Sequence, residues 1–470
     1  MSEAKQQSKK RNVHHDEDVD EFVPDEDEMT EVSEYESVKG PALTFGTLSK
    51  EARIRIFITP PLVGIIVAVL AVIMTCFYFV PLWDPIDHLD RMKIRIAVQD
   101  EGYHDPKNVT LNLGEQFMQG VLTNNKTKDV LGWEFVTGYK ADNYTRDSIK
   151  NDVIHQKYWA GVIIPKNFSN KIIEGYTQGN ETGEYDNAIV YIRDQALQYT
   201  TSSIIDRALT AVINNFDLTV RKMLLKSFPK AATAPQGVIY NPVYMDTITV
   251  NTIEVVGEYF AHYVPFVILW LCMMTTMWVA RAAFRTDYMV GNFALTKHKK
   301  YMWFIVVSLI TGFFSSLCIV LFLEGLGVKI KEGVVSLFFL YWFTTFTFAG
   351  IFNFFLALLS TPGLAAVTIL IIFQLVTSDG IYAANTMTAN FKGATPFFPL
   401  SQAVQLSRTL IFGTALHNRG LHVVVMLIWM VLTWVLSAVC DYFEVGKKSM
   451  TKMFPMFLKG YDHFIKMNSS

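Results

Sequence analysis

The residues of this chain that could do chemistry are few, and they fall in two settings. In a polar stretch, Asp100 and Glu101 follow the strand-like KIRIAVQ, and Arg193 and Asp194 follow AIVYI. Ligands of parallel sheets bind at such strand ends, although polar residues are common there in any sheet. His88, His104 and His155 are separated by helical segments and lack the spacing of metal ligands. Neither Gly-x-Ser-x-Gly nor His-Glu-x-x-His occurs. Gly446-Lys447-Lys448-Ser449 imitates the end of a phosphate loop, but Asp441 occupies the place of the leading Gly and the stretch follows an apolar segment. His14 and His15 beside Asp16 and Glu17 lie in a tail that offers no fixed geometry. The chain is therefore expected to be no enzyme, with no catalytic residue, no cofactor and no metal site.

The second setting is apolar. Asn353 and Gln374 are the most central large polar side chains in long apolar runs, while Glu254, Glu258, His262, Glu324 and Asp379 fall at or near their ends. An ionisable group at mid-bilayer costs about 3 kcal/mol or more, so such groups mark transport routes. Asn353 and Gln374 either line such a route or only bond from helix to helix. Asp379 and Arg408 join them as candidates for transport or packing, Arg408 being expected to anchor an outer segment at the membrane interface.

Six apolar stretches carry these residues: 57–83, 260–280, 302–323, 334–359, 364–384 and 421–442. Each is long enough for a hydrocarbon core of about 30 Å. The first reads as a signal anchor that stays, because about 55 polar residues precede it and no small-residue cleavage site follows. The expected fold is a helical integral membrane protein of six spans, arranged one plus five. Residues 84–259 form a large α/β domain between the first two spans, and 51% hydrophobic residues agree with a membrane chain.

Lys50, Arg53 and Arg55, then Arg281, Arg285, Lys297, Lys299 and Lys300, then Lys447, Lys448 and Lys452 fall on one side of six crossings. By the positive-inside rule both termini, 1–55 and 443–470, are cytosolic; Lys329 and Lys331 fall on the other side. The insert is then extracytosolic, and it holds the sequons at Asn108, Asn125, Asn143, Asn167 and Asn180, expected to carry glycans. A sixth, Asn468, is expected to stay bare. Residues 16–36 are dense in Asp and Glu, a composition that cannot bury enough surface to fold, and Thr30, Ser33 and Ser37 among those acids are candidate phosphorylation sites. Cys76, Cys272, Cys318 and Cys440 all lie in apolar stretches, which leaves the insert without a disulfide and dependent on its own core.

Within the insert, strand-like runs at 93–99, 133–139, 159–164 and 188–192 alternate with helical ones at 113–122, 144–155, 168–176 and 199–228. That alternation predicts crossover units and a mostly parallel sheet in two or three layers. Between 384 and 420 lies the stretch TPFFPLSQAVQLSRTLIFG, whose helix, capped by Ser401, is too short to span; residues 395–413 read as a re-entrant or interfacial segment.

One span, a large outer domain, five spans and a Pro-containing outer segment ending in Arg and Gly resemble the membrane subunits of ABC-2-type exporters and phage-infection-protein-like membrane proteins. KIRIAVQDEG, WAGVIIPKNFS and PFFPLSQAVQLSRTLIFG, with the acidic tail, resemble the fungal nitrosoguanidine-resistance proteins over roughly residues 50–445. The resemblance implies a plasma-membrane or endomembrane protein linked to resistance to toxic compounds, by export or by altered lipid organisation. It carries no catalytic residue over. Partners are then membrane lipids, hydrophobic toxic compounds, a second copy or a separate energy-supplying protein, and no nucleic acid. The alternative is a receptor or scaffold that binds a ligand or partner through its outer domain.

Overall fold

The structure is a computed structural model that describes residues 65, 68, 69, 71–73, 75, 76, 79, 80, 86–104, 110–124, 127–178, 188–228, 241–283, 297–360, 362–443 and 445. The expected acidic tail with Thr30, Ser33 and Ser37, the sequons at Asn108, Asn125, Asn180 and Asn468, and most of the stretch 57–83 lie outside these residues. From Val72 onward the described residues belong to one compact unit.

Five strands form the main sheet: β1 (Lys93–Val98), β2 (Gly132–Thr137), β3 (Ala160–Ile164), β4 (Ala188–Asp194) and β5 (Tyr244–Val250), in the order β2-β1-β3-β4-β5. All neighbours run parallel except β3 and β4. Ile94 stands opposite Trp133 on one side and Ala160 on the other, and this register carries Ile96 to Phe135 and Val162. Because side chains alternate along a strand, Ile94, Ile96 and Val98 enter one core and Ala97 the other.

The helices that cover the sheet start where a polar side chain can satisfy their first amides. Asn112 accepts from the Glu115 N–H to begin α1 (Leu113–Thr123), and Thr145 from the Ser148 N–H to begin α2 (Arg146–Ile154). In α1 the buried residues Leu113, Phe117 and Val121 recur every four positions. With α3 (Phe168–Gln178) and α4 (Tyr199–Ser227), α1 packs on one face, where Phe117 meets Phe216 edge-on at 5.0 Å. Ile149 and Val153 of α2 fill the other face, so the domain has three layers. The strand β5, not expected from the sequence, is an edge strand whose residues are half-buried or exposed apart from the buried Val250.

Among the described residues, six helices of fourteen or more residues follow: α5 (Val264–Ala283), α6 (Lys297–Gly325), α7 (Val334–Leu359), α8 (Gly363–Thr377), α9 (Pro399–Phe412) and α10 (Arg419–Tyr442). Four of them, α5, α6, α7 and α10, are long and apolar enough to cross a membrane. Helix α7 is the most buried of these and forms the centre of the bundle, with Trp270 of α5 packed at 4.7 Å from both Phe348 and Phe352. On α6 and α10 large apolar side chains such as Phe314, Leu321, Ile428 and Val431 face outward, a pattern suited to lipid and not to water. Helix α8 is shorter than the stretch 364–384 predicts: its 15 residues extend about 22 Å, because the chain turns at Asp379, which has a positive φ of 63°. The segment 395–413, expected to be re-entrant or interfacial, contains α9, twelve of whose fourteen residues are buried.

Candidate functional site

Where α8 ends, the chain forms a polar joint inside the protein. Asp379 Oδ1 accepts the Ala384 N–H at 2.6 Å, which holds the left-handed turn closed. Its Oδ2 accepts from Arg408 Nη1 at 2.9 Å and from Gln405 Nε2 at 2.6 Å, and its carbonyl accepts from Arg408 Nη2 at 2.6 Å. Arg408 and Gln405 stand three apart on α9 and thus on one face. The Arg408 fork binds carboxylate and carbonyl of a single residue, a geometry that a lysine cannot reproduce.

The same fork faces His262 Nε2 at 3.4 Å, while His262 Nδ1 lies against the Tyr259 carbonyl. A guanidinium only donates and a carbonyl only accepts, so Nδ1 carries the proton and the imidazole is neutral. Gln198 Nε2 donates to the Asp379 carbonyl at 3.2 Å, and the Ala383 N–H donates to Thr201 Oγ1 at 3.2 Å. Since Gln198 is also the N-cap of α4, the joint ties the α/β domain to α8, α9 and the start of α5. Arg91 adds a bond from Nη1 to the Met387 carbonyl at 2.9 Å.

Arg408, expected to anchor a segment at the membrane interface, is fully buried: its partners are protein groups, and among the described residues its Nε has none. Asn353 and Gln374 are also buried and engaged between helices. Arg281 at the end of α5 donates to Asn353 Oδ1 through Nε at 2.8 Å and Nη2 at 2.6 Å, pairs with Asp441 at 2.7 Å, and lies 4.9 Å from the centre of the Phe304 ring. Gln374 Oε1 accepts the Leu400 N–H at 3.2 Å, next to Pro399, which opens α9 without a donor of its own. The sequence marked Asn353, Gln374, Asp379 and Arg408 one by one. It did not mark the partners Gln405, Gln198, Arg281 and Asp441, and Gln405 three residues before Arg408 was the one local signal.

In the α/β domain, Asp100 is a structural clamp. Its carboxylate accepts the Gly114 and Ser169 amides, each at 3.0 Å, at the first turns of α1 and α3, and also the Ser169 hydroxyl. The place where two helix N-termini converge, suited to an anionic ligand, is thus filled by the chain's own carboxylate. Glu101 is exposed and lies 3.9 Å from Lys166. Arg193 pairs with Asp206. Asn143 and Asn167 are both exposed, as a glycan acceptor must be. Among the described residues no group of three or more metal-ligating side chains comes together.

Asp194 closes β4 from inside, accepting from the Ala196 N–H at 3.0 Å and Asn251 Nδ2 at 2.9 Å. Burial raises its pKa to about 6, against the pull of these hydrogen bonds and of the Lys331 ammonium. A carboxyl that binds its proton more tightly when folded contributes stability that is complete below its unfolded value and is lost as pH rises through about 6. The difference is worth about 3 kcal/mol. About half of this difference, about 1.4 kcal/mol, falls between pH 5 and pH 7.5, so thermal unfolding of the purified protein is expected to show that gain at pH 5, and Asp194→Asn is expected to lose it. An unchanged pH response in the variant would place the titration elsewhere.

A second feature lies beside the joint. The residues before α5, the first turns of α5 and the last turns of α6 enclose a cleft of about 700 Å³. Val264, Ile268, Ile319, Phe322, Leu323 and Leu326 make its apolar walls, and Glu254, Glu258 and Lys329 its charged rim. Its volume is within the range of about 300–1,000 Å³ typical of small-molecule sites.

Comparison with curated proteins and with solved structures finds no match. The profile of a family described as protein of unknown function (DUF3533) matches residues 63–435, which take in the α/β domain, the joint, the cleft and nearly all of the helical bundle. The chain belongs to that family.

Proposed function

We propose that this protein is a multi-pass protein of the plasma membrane or an endomembrane, with both termini cytosolic, that protects against toxic compounds of the nitrosoguanidine type. It does so by taking up amphipathic molecules at the side of its bundle, and so either exporting them or altering the organisation of membrane lipids. The apolar cleft between α5 and α6 carries this reading, because it is lined by hydrocarbon at the domain-side end of two membrane-length helices. The burial of Asn353 and Gln374 in helix-to-helix bonds supports a lateral route over one through the bundle centre. A receptor or scaffold is the second reading, favoured by the bonds that join Gln198 and Thr201 of the α/β domain to the turn at Asp379–Ala383.

The test compares cells with and without the protein for uptake of fluorescent phospholipid analogues and retention of a toxic alkylating compound. Lower retention at equal entry supports export, and altered lipid uptake alone supports lipid organisation. Ile268→Trp, which fills the cleft, is expected to abolish either effect; no difference in any arm would leave the receptor reading.

A further inference from the structure

The rim of the cleft names the kind of molecule it takes. Its walls offer hydrocarbon and the Cys318 thiol, so any charge preference comes from Glu254, Glu258 and Lys329. Lys329 Nζ is 2.9 Å from Glu254 Oε1, and this pair links the segment before α5 to the segment after α6. With Lys329 matched to Glu254, two carboxylates against one ammonium leave the rim with one net negative charge, at Glu258. Glu258 is half-buried and precedes the exposed ring of Phe260 by two residues; both line the cleft. A carboxylate and an aromatic face at the mouth of a low-dielectric cleft together favour an ammonium group.

We propose that the cleft selects cationic amphiphiles, with the ammonium against Glu258 and Phe260 and the alkyl chain along Ile268, Ile319 and Phe322. The proposal rests on the reading of the cleft as an amphiphile site. An anionic head meets the unbalanced carboxylate, and an uncharged head gains nothing from it.

Cys318 supplies the readout, since it lines the cleft, is exposed and forms no disulfide. The full chain with Cys76, Cys272 and Cys440 replaced by Ala is purified in an uncharged maltoside detergent. N-ethylmaleimide modification of Cys318 is then followed by mass, with added hexadecyltrimethylammonium, hexadecyl sulfate or an uncharged hexadecyl glycoside. A companion chain that keeps Cys272 as its only cysteine reports general effects of each micelle. Cationic micelles promote thiolate formation and so speed modification; slowing by the trimethylammonium compound therefore signals occupancy.

The expected result, relative to the rate change each compound causes at Cys272, is at least fivefold slowing of Cys318 by the trimethylammonium compound and none by the sulfate. Glu258→Gln is expected to remove the preference, and Phe260→Leu to weaken it. Equal slowing by all three compounds would keep the cleft as a general amphiphile site and overturn its charge selection. No slowing by any of them would overturn both this proposal and the lateral-uptake reading.

Discussion

Arg408→Ala is expected to destabilise the folded protein by about 3–5 kcal/mol, because it strands the Asp379 carboxylate without its charge partner in a dry site. The magnitude separates two roles. An arginine that anchors a segment at the interface is solvated, and its loss costs about 1 kcal/mol or less. In the joint, the same substitution removes donors from both Asp379 Oδ2 and the Asp379 carbonyl, and leaves a cavity where one of the largest fully buried side chains stood. Arg408→Lys is expected to rescue little, since one ammonium cannot serve both oxygens along the fork. The double variant Arg408→Met with Asp379→Asn removes both charges and keeps at position 379 a residue that tolerates a positive φ. It is expected to recover a large part of the loss. Thermal unfolding in micelles, read alongside the yield of folded protein, measures the series. A cost below about 1 kcal/mol for Arg408→Ala would restore the interfacial role.

Gly350→Val is expected to force α10 off α7. A Cβ at Gly350 would come within 2.5 Å of Thr433 Oγ1 and within 2.9 and 3.0 Å of the Trp434 ring. Neither neighbour is free to yield: the Thr433 hydroxyl donates to the Trp429 carbonyl at 2.7 Å, and the Trp434 indole donates to the Phe346 carbonyl at 3.1 Å. Between helices in lipid no hydrophobic driving force compensates for lost contact, and small residues are what allow close approach. Overpacking a filled site costs about 1–3 kcal/mol, and a branched side chain against two fixed neighbours belongs at or above the upper end. The Asp441 contact joins α10 to Arg281 of α5, which also holds Asn353 of α7, so it is expected to open as well. Cross-linking of engineered cysteine pairs on α7 and α10 checks the separation; unchanged cross-linking with unchanged stability would show that the interface can repack.

Much of the architecture was readable because apolar periodicity is local. The runs IRIAV, AGVII and AIVYI read as strands, and every residue in them except the half-buried Arg95 is buried. In β5, YMDTITV carries polar residues at an edge, where burial demands little, so its pattern was silent. The turn that cuts α8 short did leave a mark, the Asp379-Gly380 dipeptide at the end of an apolar run. The joint itself was not legible, since Asp379, Arg408, His262 and Gln198 come from four separate segments and no periodicity links them. Arg281 misled in a further way. Counted as a flanking positive charge, it also reaches inward to Asn353 and Asp441, and composition alone does not separate those roles.

The apolar core of the α/β domain contains Ala383 and Ala415 beside Ile94 and Phe117. A ribosome completes the five strands of that domain by Val250, yet has to make more than a hundred further residues before either alanine exists. Through that interval the nascent domain stands with an open seam in its core, and only the return of the chain after α8 and again after α9 closes it. Sealing the domain is therefore a late event of synthesis, possible only once the chain from α5 through α9 has been made.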